Sequence, residues 1–182
     1  PVGSPLRLPL AVNADSLDSW FMAACQEVLA DAALVVDVRV EDQDHSAALL
    51  REGSVMAAVS ASPQAIQGCS VASLGVMRYL AMATPAFVGR HFPQGLSAEA
   101  LSAAPRLTFN RKDELPARFL DDFGELATMP PTHFIPSTLG FLEALKRGLG
   151  WGMVPEGFVG VQVAVGELVD IAPGHPLDVA LY

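Results

Sequence analysis

Leu6, Leu8, Leu10 and Val12 alternate with Arg7, Pro9 and Ala11, the period-two pattern of a strand with one apolar face. From Leu17 the period changes. Leu17, Trp20, Phe21, Ala24, Cys25, Val28 and Leu29 recur at helical spacing and form one apolar stripe, so a helix is expected, with Asp15 or Ser16 as its cap. Alternation returns over Leu34 to Val40, where Val36, Val38 and Val40 stand against Asp37 and Arg39. A second helix over about Ser46 to Glu52, stopped by Gly53, leads into a nearly continuous apolar strand, Val55 to Val59. Strand, helix, strand, helix, strand in one short stretch predicts a parallel sheet with right-handed crossovers.

Another apolar segment, Leu74 to Met82, runs up to Thr84-Pro85, and the same grammar then restarts with different spacing. Ser97 caps a short helix, Leu107 to Phe109 reads as a strand, and Leu115 to Phe123 as a helix. His133 to Ile135 is a short strand, after which Ser137-Thr138 open a helix that ends at Gly148. Trp151 to Val154 is a strand stopped by Pro155, and Leu168 to Ile171 and Leu177 to Leu181 are two more. The fold class is α/β. Two such units joined near residue 77 predict two lobes with a cleft between them, a preferred place for small ligands. The lobes are expected over 1–77, with about 179–182 of the last strand, and over 78–178.

Composition narrows the function. With 182 residues, 51% of them hydrophobic and 17% charged, the chain is no disordered segment. Gly, Pro and charges interrupt every apolar run, so no membrane partner is expected. A net charge of -9 repels phosphate backbones, so this segment is not expected to touch nucleic acid itself. Cys25 and Cys69 give no disulfide framework, and Cys25, on the apolar helix face, reads as a buried, inert thiol in a reducing cytoplasm. The chain opens at Pro1 without a leader and reads as an excised segment.

Enzyme signatures are missing. His45, His91, His133 and His175 are scattered, without metal-ligand spacing, and there is no nucleophile elbow, Walker loop or dinucleotide fingerprint. Gly148-Leu149-Gly150-Trp151-Gly152 follows a helix and precedes a strand, the wrong order for a phosphate cradle, and reads as a helix stop. No catalysis, metal or cofactor is expected.

What remains is a set of polar strand ends. Asn13, Asp15 and Ser16 follow the first strand, Glu41 and Asp42 the second, and Ser60 the third, and parallel strands put these ends on one edge. In the second unit Asn110 follows one strand, and Ser137 and Thr138 follow another at a helix start that favours an anion. Carboxylates on one side and an anion seat on the other suit a basic amino acid. Each group also has a plainer role: Asp15, Ser16, Ser137 and Thr138 as caps, and Glu41 to Asp44 as a solvated turn.

Val12-Asn13-Ala14-Asp15-Ser16, Val40-Glu41-Asp42-Gln43-Asp44-His45, Leu50-Arg51-Glu52-Gly53 and the block Gly148 to Pro155 together resemble the LysR-type transcriptional regulators. The likeness is to the LysG/ArgP branch, which senses lysine and arginine and controls a basic amino-acid exporter. It covers essentially the whole chain, and the glycine block marks only the wider family. The resemblance implies a type II periplasmic-binding-protein-like effector domain of two Rossmann-like lobes, bound to L-lysine or L-arginine. It implies Asn13, Asp15, Ser16 and Ser60 on the first wall, Ser137 and Thr138 on the second, and Glu41 paired with the effector's side-chain cation. DNA contact would come only from a helix-turn-helix that this segment lacks, within a homodimer or homotetramer. The segment stops inside the last strand, where relatives continue through a final helix that completes the first lobe. An amino-acid-binding component of a transporter, periplasmic or lipid-anchored, is the alternative on the same lobes.

Overall fold

A row of parallel backbone bonds builds the first part of the molecule. The computed structural model describes residues 5–30, 33–41 and 46–182. β1 (Leu6–Val12) runs into a helical segment made of α1 (Ala14–Ser16), a π-helical turn (Leu17–Phe21) and α2 (Met22–Leu29). β2 (Leu34–Val40), α3 (Ser46–Arg51) and β3 (Ala57–Ala58) follow. β1 lies between β2 and β3 and is parallel to both, with Val12 opposite Val40 and Ala11 opposite Ala58. Gly53 closes α3 with φ 66°; its N–H donates to Leu50 O and that of Ser54 to Leu49 O, the paired bonds of a Schellman stop.

The first helix departs from expectation. Only Phe21 of the predicted stripe is buried, while Val28 is 53% exposed and Cys25 is half-buried. A π-helical turn interrupts the helix over Leu17–Phe21, yet the less exposed positions, Leu17, Trp20, Phe21, Cys25 and Leu29, all belong to the predicted stripe. The third strand is also shorter than its apolar run, because Met56 N–H to Pro9 O and Val59 N–H to Ala11 O mark the limits of its ladder.

The second part is a mixed sheet. Its elements are β4 (Gly75–Ala83), α4 (Pro85–His91), α5 (Ala98–Ala103), β5 (Arg106–Thr108), α6 (Leu115–Asp121) and β6 (Thr132–Phe134). Then come α7 (Thr138–Lys146), β7 (Gly152–Pro155), α8 (Glu156–Ala164), β8 (Val169–Asp170) and β9 (Leu177–Leu181). β4 pairs antiparallel with β7 and β8, β9 pairs with β4, and β5 and β6 are parallel. An Arg106–Trp151 bridge ties β5 to the start of β7. The core collects Met82, Leu107, Phe141, Leu145, Val154, Val159 and Leu168.

Two helices were not read from the sequence. Thr84-Pro85 opens α4, with Thr84 Oγ1 accepting from Phe87 N–H and Pro at the first helical position, where its missing N–H costs nothing. Pro155 is itself the last residue of β7, paired with Tyr79, and α8 begins at the next position. α8 was hidden because only Glu156 and Gln162 of its nine residues are polar, too few to mark a periodic polar face.

The backbone divides into two compact units, Pro1–Val76 with Val179–Tyr182, and Met77–Asp178. β4 and β9 each carry the chain from one unit to the other. Arg78 and Asp178 join these strands through two parallel bonds, Nε to Oδ1 and Nη2 to Oδ2, each 2.8 Å. That fork holds the Asp178 carboxyl below the usual carboxylate range.

Candidate functional site

The parallel sheet of the first unit gathers its C-terminal strand ends on one edge. Glu41 N–H donates to Val12 O at 3.1 Å and Val59 N–H donates to Ala11 O at 2.9 Å. With β1 central, Glu41, Asn13 and Ser60 therefore lie in a row across the edge. Neighbouring strands are about 4.8 Å apart, so the row spans about 10 Å, the scale of an amino acid.

Two groups in this region stand out. Asn13 is 4% exposed and Ser16 is fully buried, yet Asn13 Oδ1 and Ser16 Oγ have no hydrogen-bond partner. A buried polar atom left unpaired costs about 1–3 kcal/mol. Neither is spent on capping. The N-cap position belongs to Asn13, whose side chain makes no cap bond, and Asp15 and Ser16 lie inside the first turn. The expectation that Asp15 or Ser16 caps the helix is thus corrected: the helix starts at Ala14, directly after the strand, so both are helical residues.

The other candidates divide. Ser60 is fixed by its backbone, whose N–H and C=O both pair with Tyr182 at 3.0 and 2.9 Å, and its Oγ accepts from Ser62 N–H. A groove of about 760 Å³ in the first unit is lined by Ser60 together with Arg51, Gln64, Cys69 and Tyr182; Asn13, Ser16 and Glu41 do not line it. Asp42 lies outside the described residues, as does the rest of the stretch from 42 to 45.

In the second unit, β5 and β6 are parallel, so Asn110 and Ser137-Thr138 leave the sheet at the same edge. Asn110 Oδ1 accepts from Lys112 N–H at 2.7 Å, which makes it a turn residue. Ser137 is the N-cap of α7, its Oγ accepting from Gly140 N–H at 3.2 Å. Thr138 differs: its Oγ1 is buried and has no partner. Sequence reading missed Arg111 at this edge, whose guanidinium lies 4.6 Å from the centre of the Phe134 ring. It looked for hydroxyls and a helix start; a search for a cation just past a strand end finds Arg111.

The glycine block is structural. Gly148 takes φ 68° and closes α7 with Schellman bonds, its N–H to Leu145 O and that of Leu149 to Ala144 O. Gly150 lies against the Pro105 carbonyl and Gly152 against the Phe141 ring, so both are places where a side chain does not fit. Among the described residues no group of His, Cys, Asp and Glu is arranged to hold a metal ion, and no helix is long and apolar enough to cross a membrane.

Known proteins share this architecture and sequence. The regulator LysG of Mycobacterium tuberculosis is 47% identical over 176 residues, covering 97% of this chain and 57% of that protein. ArgP of Pseudomonas aeruginosa is 42% identical over 180 residues, covering 99% and 60%. The structure of full-length LysG from Corynebacterium glutamicum with bound effector Arg superimposes with a TM-score of 0.85 at 35% identity, over 96% of this chain and 59% of that one. The chain thus spans less than two thirds of the length of these relatives. LysG and ArgP are transcriptional regulators, a non-enzymatic family. The two α/β units, the glycine block built as a helix stop and a match to the LysR substrate binding domain over residues 7–182 agree, and the chain belongs to the LysR family.

Proposed function

We propose that this chain is the ligand-sensing domain of a cytoplasmic LysR-type regulator that binds L-lysine or L-arginine and controls transcription of a basic amino-acid exporter gene. The observation that carries the reading is a pair of buried oxygens without partners, Asn13 Oδ1 and Ser16 Oγ, at a strand edge flanked by Glu41 and Ser60. An amide oxygen without a donor and a carboxylate beside it suit ammonium and guanidinium groups. A relative bound to arginine as its effector supports the same ligand class.

Glu41 pairs with the side-chain cation of the effector, and Asn13 and Ser16 take its remaining donors. The signal is linkage: the effector binds one conformation of the regulator better than another, and that difference shifts the equilibrium between them. DNA contact and assembly into a homodimer or homotetramer belong to the whole protein. The transporter-component reading is not favoured, because the relatives are transcriptional regulators.

Calorimetric titration of the full-length protein with lysine, arginine and leucine tests this. Lysine or arginine should bind and leucine should not, and Glu41→Gln should weaken the basic amino acids by about tenfold or more, the value of one charge-assisted bond. Leucine binding as tightly as lysine would sink the reading, and unchanged lysine affinity in Glu41→Gln would remove that residue from the site.

A further inference from the structure

Arg111 stands just beyond β5, with its guanidinium 4.6 Å from the centre of the Phe134 ring. Phe134 is the last residue of β6, opposite Thr108 in the parallel register, and is 43% exposed. Ile135 N–H donates to Thr108 O at 3.0 Å, so the two loops leave the sheet side by side, one leading to Arg111 and the other to Ser137 and Thr138.

Arg111 is held differently from the cations that form ion pairs. Asp and Glu number 20 against 11 Lys and Arg, and Arg7, Arg78, Lys146 and Arg147 all pair with a carboxylate. Among the described residues Arg111 pairs with none, and an aromatic face holds it instead. A guanidinium lying on a ring uses its face for the contact and keeps its N–H edge for an acceptor. Asn110, Ser137 and Thr138 at this edge carry no positive charge. Asn110 Oδ1 is bonded to a backbone N–H, Ser137 Oγ caps α7, and Thr138 Oγ1 is a buried hydroxyl without a partner. An amino-acid carboxylate needs what they lack.

We infer that Arg111, held on Phe134, is a ligand-binding residue that grips the α-carboxylate of the effector, with Thr138 donating a second bond. The inference rests on the basic amino-acid reading above and names the group that recognises the ligand's anionic end. The planar fork presents two parallel N–H donors to a carboxylate, which lysine in its place would not.

The test is calorimetric titration of the full-length protein with L-arginine and with L-argininamide, whose neutral amide replaces the carboxylate. Wild type should prefer arginine by about ten- to hundredfold, the value of a charge-assisted bond. In Arg111→Met, which keeps the apolar stem, that preference should collapse to near unity while argininamide affinity stays within about twofold. Arg111→Lys should retain part of the preference, and Phe134→Leu, which frees the arginine, should lower it several-fold. Equal binding of the two compounds by wild type, or an unchanged ratio in Arg111→Met, overturns the role of Arg111 and leaves the basic amino-acid reading standing. No binding of arginine or lysine by wild type overturns both. Arg111 is exposed, so thermal melts of its variants should match wild type and exclude misfolding as the cause.

Discussion

Gly152→Ala tests how the glycine block is built. A Cβ at this position would stand 2.7 Å from Phe141 Cζ, 2.8 Å from its Cε1 and 3.3 Å from Leu107 Cβ. Comfortable carbon contacts begin near 3.5 Å, so the ring must retreat by about 0.8 Å. Phe141 is 7% exposed and packs among Met82, Leu145 and Val159, where interior packing leaves little space to retreat into. Overpacking of this kind costs about 1–3 kcal/mol. Gly150→Ala makes the sharper contrast, because its Cβ would meet the Pro105 carbonyl oxygen at 2.9 Å. That oxygen accepts from Trp151 N–H at 3.1 Å, so the backbone cannot withdraw without losing the bond that starts β7. The cost there should sit at the upper end, about 3 kcal/mol. Urea unfolding followed by the fluorescence of buried Trp151, in a Trp20→Phe background, reads both. With a slope of about 2 kcal/mol per molar, Gly152→Ala should lower the midpoint by about 0.5–1.5 M and Gly150→Ala by about 1.5 M. Phe141→Leu should restore part of the loss in Gly152→Ala and none in Gly150→Ala. Midpoints unchanged to within about 0.2 M would refute the packing account of the block.

Other consequences can be checked separately. Ser16→Ala removes a buried hydroxyl without a partner, so the ligand-free melting temperature should hold or rise, while the upward shift caused by saturating arginine should shrink. Ser137→Ala removes the α7 cap and should cost about 0.5–2 kcal/mol in chemical denaturation; a loss below about 0.2 kcal/mol would contradict the capping geometry. The Asp178 carboxyl is held below its usual range when folded, so the stability it contributes is complete above that range and is lost as pH falls through the lowered folded value. Asp178→Asn should therefore flatten the acid side of the stability profile, and an unchanged acid limb would show that the pair with Arg78 contributes nothing.

Some of the fold was plain in the sequence for a simple reason. β1, β2 and β9 were read at their observed limits, because alternating side chains on a half-buried sheet announce themselves. Gly53 and Gly148 announced their helix ends because only glycine takes those positive φ values without strain. The failures also have physical causes. The π-helical turn over Leu17–Phe21 went unread, because no pattern of apolar spacing encodes such an insertion. α8 has no polar face to set its period. At the candidate site, the strand ends could be listed from order alone, and the register lines Glu41, Asn13 and Ser60 up on one edge. Which of them had lost every other partner depends on burial, and that separates Asn13, Ser16 and Thr138 from Asn110 and Ser137.

The two backbone bonds between Ser60 and Tyr182 have a consequence for synthesis. The second unit is one uninterrupted stretch, whereas the first takes its closing strand from Val179–Tyr182, more than a hundred residues after its other parts. On the ribosome, where about 5–20 residues are added each second, the second unit has all its residues in hand while the first still waits for Val179–Tyr182. Ser60 receives its backbone partners only when Tyr182 emerges. If Ser60 belongs to the proposed effector site, that site stays incomplete until the second unit has been made.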